Sequence, residues 1–343
     1  MTRDHDALLT LTEAVAEASE AERPRLLWSA GAVYEVPWEG SEVFSWDRRS
    51  AACGAASGLI PQTQPQDLAP SGLALRIPTS RAAQDWMLAQ AAALVPQDAW
   101  VWIVGGQREG IKPLAKRLGK FGFDEVQVRR IKRRMRVLRV RLMQPPSCPP
   151  RLDALAERFP MVVGRSQVEC ISLPGVFAHG RLDPGTELLI SVLVNKRPKA
   201  GRTVDLGCGC GALSVAVALA RPKATVWAVD IHAVAVEAAQ QTVAANGLDE
   251  RIQVFHRTAM EAAEELGGRH DLVVTNAPFH DGQQTDPSLM TQFAQAARQL
   301  LRPGGQLLLV ANHHLPYAAV LSEVFGRVER AAGDGRYVVY RCS

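Results

Sequence analysis

The sequence predicts an α/β protein of two tandem domains, the second built on a mainly parallel sheet that ends in an antiparallel hairpin. Three observations predict this. Short apolar runs alternate with helical patterns through the C-terminal half, as in parallel sheets covered on both faces. The same order recurs, more faintly, in the N-terminal half. Between them "QPPSCPP", 144–150, holds four prolines in seven residues, which neither a helix nor a central strand tolerates. The expected domains are therefore 1–147 and 148–343.

In the N-terminal half "PRLLWSAG", "EVFSWD", "GLALRIPTS" and "WVWIVGG" read as strands, with "SRAAQDWMLAQAAALV" and "IKPLAKRLGKFG" as helices. In the C-terminal half "RTVDLGCG" is a strand, "ALSVAVALA" a helix, "ATVWAVD" a strand and "AVAVEAAQQTVAANG" a helix closed by Gly247. "RIQVFH" and "HDLVVTN" are strands, "MTQFAQAARQLL" is a helix stopped by "RPGG", and "GQLLLVAN" is a strand. Asp334-Gly335 lies between two alternating runs, a hairpin signal. This is the outline of a class I methyltransferase, a Rossmann-like fold. The N-terminal half lacks its chemistry: "WSAGAVY" has no close-set glycines, and "IPTS" stands where Asn276–Phe279 stand in the second half. It is read as a degenerate duplicate that binds no cofactor.

The 343 residues are 47% apolar and 22% charged, an ordinary globular balance, and no apolar run is long enough to span a membrane. "MTRDHDALLT" has no basic-then-apolar signal pattern, so a cytoplasmic protein is expected. The six cysteines form no C-x-x-C pair and no zinc-spaced cluster; free thiols and no metal are expected. Net charge is only +4, so affinity for a polyanion has to come from local clustering.

"VDLGCGCGAL", 204–213, sets Gly207, Gly209 and Gly211, with Cys208 among them, between a strand and a helix. Glycine lets the backbone approach a ligand, and the helix start supplies free N–H donors. The same letters satisfy a dinucleotide pattern, so the loop alone does not choose a cofactor. Asp205, at the strand end, suits the amino group of a methionine moiety. Asp230, followed by Ile231, ends the next strand and suits two ribose hydroxyls. Each acid also has an ordinary reading as a helix cap. Thr258 and Ala259 follow the third strand near the expected adenine, with Met260 beside them.

The fourth strand ends in "NAPFH", 276–280. An exocyclic amine conjugated to a ring is flat and a poor nucleophile. Two acceptors aimed at its N–H bonds draw it toward a tetrahedral shape as a new bond forms. The Asn276 side-chain oxygen and the Ala277 carbonyl are the expected pair. Pro278 fixes the backbone, and Phe279 stacks on the base, worth about 1–3 kcal/mol. His280 is expected to anchor the loop.

"NAPFH" followed by "DG" resembles the N-P-P-F-H-D-G signature of ribosomal RNA guanine-N2 methyltransferases, above all the small-subunit family. "GVFAHGRLDPGTELLI", "VANHHLPYAAVL" and "GRYVVYR" are similar to other stretches of that family, and "WIVGGQREGIKPLAKRL" to its N-terminal half. The resemblance implies S-adenosylmethionine as cofactor and guanine N2 of ribosomal RNA, or of the small ribosomal subunit, as acceptor. It also implies a non-catalytic N-terminal domain, with Phe177 and Thr186 lining the cofactor or base pocket. Asp183 reads equally well as a helix cap. Ala277 departs from the family proline: the carbonyl survives, and the loop loses some rigidity.

"RRIKRRMRVLRVR", 129–141, has eight basic residues in thirteen and reads as a cluster without compensating acids. Arg129, Arg130, Lys132, Arg133, Arg134 and Arg136 are the expected phosphate contacts. The alternative is an edge strand protected by charge. A monomer is expected. Adenine-N6 or glutamine methylation, a non-catalytic RNA-binding assembly factor, and a nicotinamide dehydrogenase remain open as other readings.

Overall fold

The computed structural model describes residues 3–33, 35, 37–38, 40–53, 56–57, 72–276, 280–281, 284–285 and 287–343. The chain divides into two compact units, Met1–Leu155 and Ala156–Ser343. The proline-rich stretch 144–150 closes the first unit shortly before the division.

The first unit contains α1 (Arg3–Ala16), β1 (Leu26–Ser29), β2 (Glu42–Ser45), β3 (Ala56–Ser57), β4 (Leu73–Arg76), α2 (Arg81–Leu94), β5 (Trp100–Gly106), α3 (Ile111–Ala115), β6 (Phe123–Lys132) and β7 (Met135–Leu142). Its sheet runs β3-β2-β1-β4-β5-β7-β6, parallel up to β5 and antiparallel beyond. β5 is buried along almost its whole length, which is why its sequence is a continuous apolar run. α2 begins where the Ser80 hydroxyl accepts from the Ala83 amide. Trp28, Trp46 and Trp86 meet at centroid distances of 6.1, 6.0 and 5.8 Å and fill much of the core.

The second unit opens with the hairpin β8 (Glu157–Val163) and β9 (Ser166–Ser172), then α4 (Pro184–Lys196), β10 (Arg202–Leu206), α5 (Ala212–Ala220), β11 (Thr225–Asp230) and α6 (Ala233–Ala245). It continues with β12 (Ile252–His256), α7 (Ala259–Leu266), β13 (His270–Thr275), the short β14 (His280–Asp281) and β15 (Gln284–Thr285), and α8 (Pro287–Leu300). β16 (Leu301–Asn312), α9 (Tyr317–Val324), β17 (Val328–Gly333) and β18 (Tyr337–Cys342) finish it. The main sheet runs β12-β11-β10-β13-β16-β18-β17, the same topological order as the first unit. One face packs on residues of α4, α5 and α6, such as Leu193, Val215 and Val243; the other packs on α7, α8 and α9 through Ala262, Ala297 and Leu321.

The sequence reading missed several features, among them the helices α7 and α9. α1 is a helix with one buried stripe: Ala7, Leu11 and Ala14 face the core. The β6–β7 hairpin turns at Arg133 and Arg134, both left-handed with φ of 52° and 61°, a turn more often signalled by Asn-Gly. The β8–β9 hairpin turns at Gly164. "IKPLAKRLGKFG" makes only the short α3 and a 3₁₀ turn, Leu118–Phe121, ended by left-handed Gly122.

Candidate active site

The chain leaves β10 at Leu206 and turns through Gly207, Cys208, Gly209, Cys210 and Gly211 into α5. The three glycines have φ of 72°, 54° and 82°, where a side chain is strained. The Gly207 and Cys208 amides donate to the Val229 carbonyl at 2.8 and 3.0 Å, which ties the turn to β11. A Cβ on Gly211 would lie 3.3 Å from Ala239, so this glycine lets α5 start close to α6. A Cβ on Gly209 would meet nothing within 4 Å: the tip of the turn faces open space.

Two carboxylates border this turn. Asp230 accepts from the Gly209 amide at 2.9 Å and from the His232 amide at 2.9 Å, with half-buried Ile231 between. Asp205 is fully buried. Its Oδ2 accepts from the Ser214 hydroxyl at 2.6 Å, and its Oδ1 has no hydrogen-bond partner among the described residues. Burial pushes this carboxyl up to about 7, the Asp230 charge adds to the rise, and the Ser214 bond opposes it. An orphaned buried carboxylate oxygen calls for a donor, best a cationic one. That oxygen, the Asp230 carboxylate and the open space over Gly209 fit S-adenosylmethionine, with its ammonium, ribose and methionine chain. The Thr258 hydroxyl accepts from the Glu261 amide at 3.1 Å and caps α7; Ala259 and Met260 open that helix.

Asn276 follows β13, the sheet neighbour of β10. The buried Thr275 hydroxyl donates to the Leu206 carbonyl at 2.7 Å, which holds the end of β13 against the start of the glycine turn. The Asn276 amide nitrogen donates to Asp183 Oδ2 at 2.9 Å and to Thr186 Oγ1 at 2.7 Å. Both N–H bonds are thereby used inside the protein, and the remaining polar atom of the side chain is its oxygen, an acceptor. Asp183 also caps α4, accepting from the Thr186 amide at 3.0 Å, with Pro184 in the first turn. Asp183 is thus both the cap of α4 and the acceptor that holds the Asn276 amide. A Cβ on Gly185 would lie 2.9 Å from Asp183 Oδ2 and 3.1 Å from the Tyr337 ring, so glycine keeps this cap uncrowded. Phe177 is 60% exposed. Ala277, Pro278 and Phe279 lie outside the described residues, as does the side chain of His280.

Sequence reasoning missed the link from Asp183 to Asn276, separated by 93 residues, and the role of Ser214. The N-cap signature at Asp183 was visible; nothing in the spacing announced its second partner.

The basic run needs a correction, because acids do compensate it. Arg130 pairs with Glu13 and Glu17, Lys132 and Arg133 pair with Glu13, Arg139 with Glu22, and Arg141 with Asp98 and Glu125. The hydrogen bonds from Arg133 and Lys132 pull the Glu13 carboxyl down to about 2. Arg129 lies over the Trp102 ring, and the buried Nε of Arg136 has no hydrogen-bond partner among the described residues. The unread helix α1 supplies Glu13 directly and Glu17 just past its end, so nothing local to the run announced them. Among the described residues no cluster of His, Cys, Asp and Glu could hold a metal, and no helix is long and apolar enough to cross a membrane.

Residues 167–341 match the family described as "Methyltransferase small domain". The chain is 31% identical over 307 residues to "Ribosomal RNA small subunit methyltransferase C" of Hahella chejuensis, covering 87% of this chain and 86% of that one. It is 35% identical over 265 residues to the Pseudomonas aeruginosa protein of the same name, covering 76% of each. Among solved structures it is similar to the T. thermophilus 16S rRNA N2 G1207 methyltransferase (RsmC) in complex with AdoMet and guanosine. That match has a TM-score of 0.80 and 26% identity, over 97% of this chain and 91% of that one.

Proposed function

The chain belongs to the ribosomal RNA small subunit methyltransferase C family, and from this premise we propose that it methylates the exocyclic N2 amine of a guanine in small-subunit ribosomal RNA. The cofactor is S-adenosylmethionine, which supplies an electrophilic methyl group when bound. The observation that carries the reading is the fixed amide of Asn276. Its nitrogen is spent on Asp183 and Thr186, so its oxygen is the end of the amide that meets a flat amine beside the glycine turn.

The residues divide the work. The unpartnered oxygen of Asp205 receives the ammonium of the methionine moiety, and Asp230 receives the ribose hydroxyls. Gly207, Gly209 and Gly211 let the backbone pass close beneath, with Cys208, Ile231, Thr258 and Ala259 around them. The Asn276 oxygen and the Ala277 carbonyl accept from the two N–H bonds of the guanine amine, so its lone pair is freed for attack. Pro278 and Phe279 hold and stack the base, and Phe177 and Thr186 line the pocket. After transfer the amine nitrogen is cationic and acidic, and water takes its surplus proton. No basic side chain is required, so positioning is the main catalytic contribution.

We assign the first unit the role of a degenerate duplicate that anchors RNA. Where the second unit has its glycine turn, the first has Ser29-Ala30-Gly31, and a Cβ on Gly31 would lie 2.2 Å from the Asp4 carboxylate. Asp4 accepts there from the Ala32 amide at 3.2 Å and pairs with Arg76 at 3.0 Å, so the protein's own side chains fill the crevice. A monomer in the cytoplasm is the expected form.

The test is methylation of unmodified small-subunit ribosomal RNA with labelled S-adenosylmethionine, followed by nucleoside digestion. Label in N2-methylguanosine is the expected result. Label in N6-methyladenosine or in protein overturns the acceptor, and no label with intact cofactor binding overturns the activity.

A further inference from the structure

The segment 173–182 joins β9 to α4 and delivers Asp183, the residue that holds the Asn276 amide. It is wound tightly. The Val176 amide donates to the Leu173 carbonyl, and the Arg181 amide to the Ala178 carbonyl, each at 3.1 Å. Leu173, Pro174 and Val176 are buried, and Phe177 then stands 60% exposed. Of the large hydrophobic side chains exposed among the described residues, it alone is aromatic. Ala178, next to it, is left-handed with φ of 53°, a conformation that costs free energy in any residue with a Cβ.

The strain is held in place by the β8–β9 hairpin. The buried Ser172 hydroxyl lies 2.9 Å from His179 Nδ1, and Glu157 Oε1 lies 3.6 Å from His179 Nε2. The Glu157 carboxylate is so close to the loop that a Cβ on Gly180 would lie 1.8 Å from its Oε2. Beside Ser172, the Thr242 hydroxyl of α6 accepts from the Ile171 amide at 2.9 Å and donates to the Ile171 carbonyl at 3.1 Å. Both ring nitrogens of His179 therefore face a partner, one on β9 and one at the start of β8, and β9 is itself pinned to α6. A single exposed phenyl ring says little by itself. This one sits on a strained, braced loop six residues before the Asp183 cap, and strain of that kind is kept where it serves contact. We infer that His179 is a positioning residue: it fixes the loop so that Phe177 is presented, next to the Asn276 site, as a platform for a base of the RNA substrate. A phenyl face suits an RNA base, because every base has a π-face to stack. A ring held in place before binding also avoids the entropy cost of ordering its loop. This inference rests on the RNA acceptor of the proposed function and adds how that RNA is oriented at the reacting end.

The experiment is a double-mutant cycle read by fluorescence anisotropy with an unmethylated transcript of small-subunit ribosomal RNA. It compares the wild type, Phe177→Ala, His179→Ala and the double variant. Phe177→Ala is expected to weaken RNA binding about tenfold, and His179→Ala about fourfold. The double variant is expected to match Phe177→Ala within about twofold, because a loosened loop then has no ring to present. His179→Asn keeps a polar atom within reach of Ser172 and is expected to recover most of the loss. Calorimetry with S-adenosylmethionine is expected to give wild-type affinity for His179→Ala and His179→Asn. A Phe177→Ala variant that binds RNA like the wild type overturns the proposal, as does a double variant whose loss is the product of the two single losses. Cofactor affinity that falls as far as RNA affinity in both His179 variants marks a merely structural role and overturns it as well. Binding is read without methyl transfer, so a wild type that binds the transcript and methylates nothing rejects the proposed activity and leaves the cycle readable.

Discussion

The Asn276 amide nitrogen donates to Asp183 at 2.9 Å, joining the end of β13 to the N-terminal cap of α4. This bond, with the one to Thr186, decides which way the amide faces. In an alanine variant of Asp183 only the Thr186 hydroxyl holds the amide, and a hydroxyl can donate to the oxygen as well as accept from the nitrogen, so either end can face the substrate. Turnover of Asp183→Ala is expected to fall roughly tenfold, about 1.4 kcal/mol of barrier, with cofactor affinity kept. Asp183→Asn retains an acceptor oxygen and is expected to recover most of the rate. Steady-state kinetics of the pair checks this; equal losses in both would point to the charge of Asp183 instead.

Cofactor binding is expected to depend on pH through Asp205. Its carboxyl is raised to about 7 in the ligand-free protein, chiefly by burial. Below that value it is neutral and pairs poorly with an ammonium; above it the charge is present. Affinity for S-adenosylmethionine is therefore expected to rise as pH goes from 6 to 8, by up to about tenfold. Titration calorimetry across this range measures it. Asp205→Asn is expected to bind weakly and without that slope.

The glycine turn separates folding from binding. Gly211 has a φ of 82° and sits 3.3 Å from Ala239, so Gly211→Ala strains the backbone and pushes on α6. A loss of about 1–3 kcal/mol in chemical denaturation is expected. Gly209 is left-handed too, with φ of 54°, but a side chain there meets nothing within 4 Å, so Gly209→Ala is expected to cost only the backbone strain, about 1 kcal/mol, while losing most of its cofactor affinity.

Arg76 is buried in the first unit between Glu109, at 2.7 Å, and Asp4, at 3.0 Å. Removing it leaves two carboxylates without their cation. Arg76→Ala is expected to cost about 3–5 kcal/mol of stability, read from the denaturation midpoint. An unchanged midpoint would mean that water replaces the guanidinium.

The parallel strands were legible because a strand buried on both faces writes itself as an apolar run, as in β5 and β13. The glycine turn and the acids at 205 and 230 were legible because their spacing is local. What the sequence hid was long-range. Nothing local says that Asp183 meets Asn276, or that Glu13 in α1 meets Arg133. The run from Arg130 to Arg133 looked bare because Glu13 and Glu17 lie more than a hundred residues upstream, in and just past a helix with few strong formers in its first turn. The Arg133-Arg134 turn was hidden for a different reason: two arginines in left-handed geometry carry none of the usual turn letters.

Single-turnover methylation of unmodified small-subunit ribosomal RNA by Asn276→Ala, with S-adenosylmethionine saturating, tests the central claim most directly. If the amide oxygen grips the guanine amine, the rate falls at least about tenfold while cofactor affinity holds. A variant that transfers the methyl group at the wild-type rate would contradict the account.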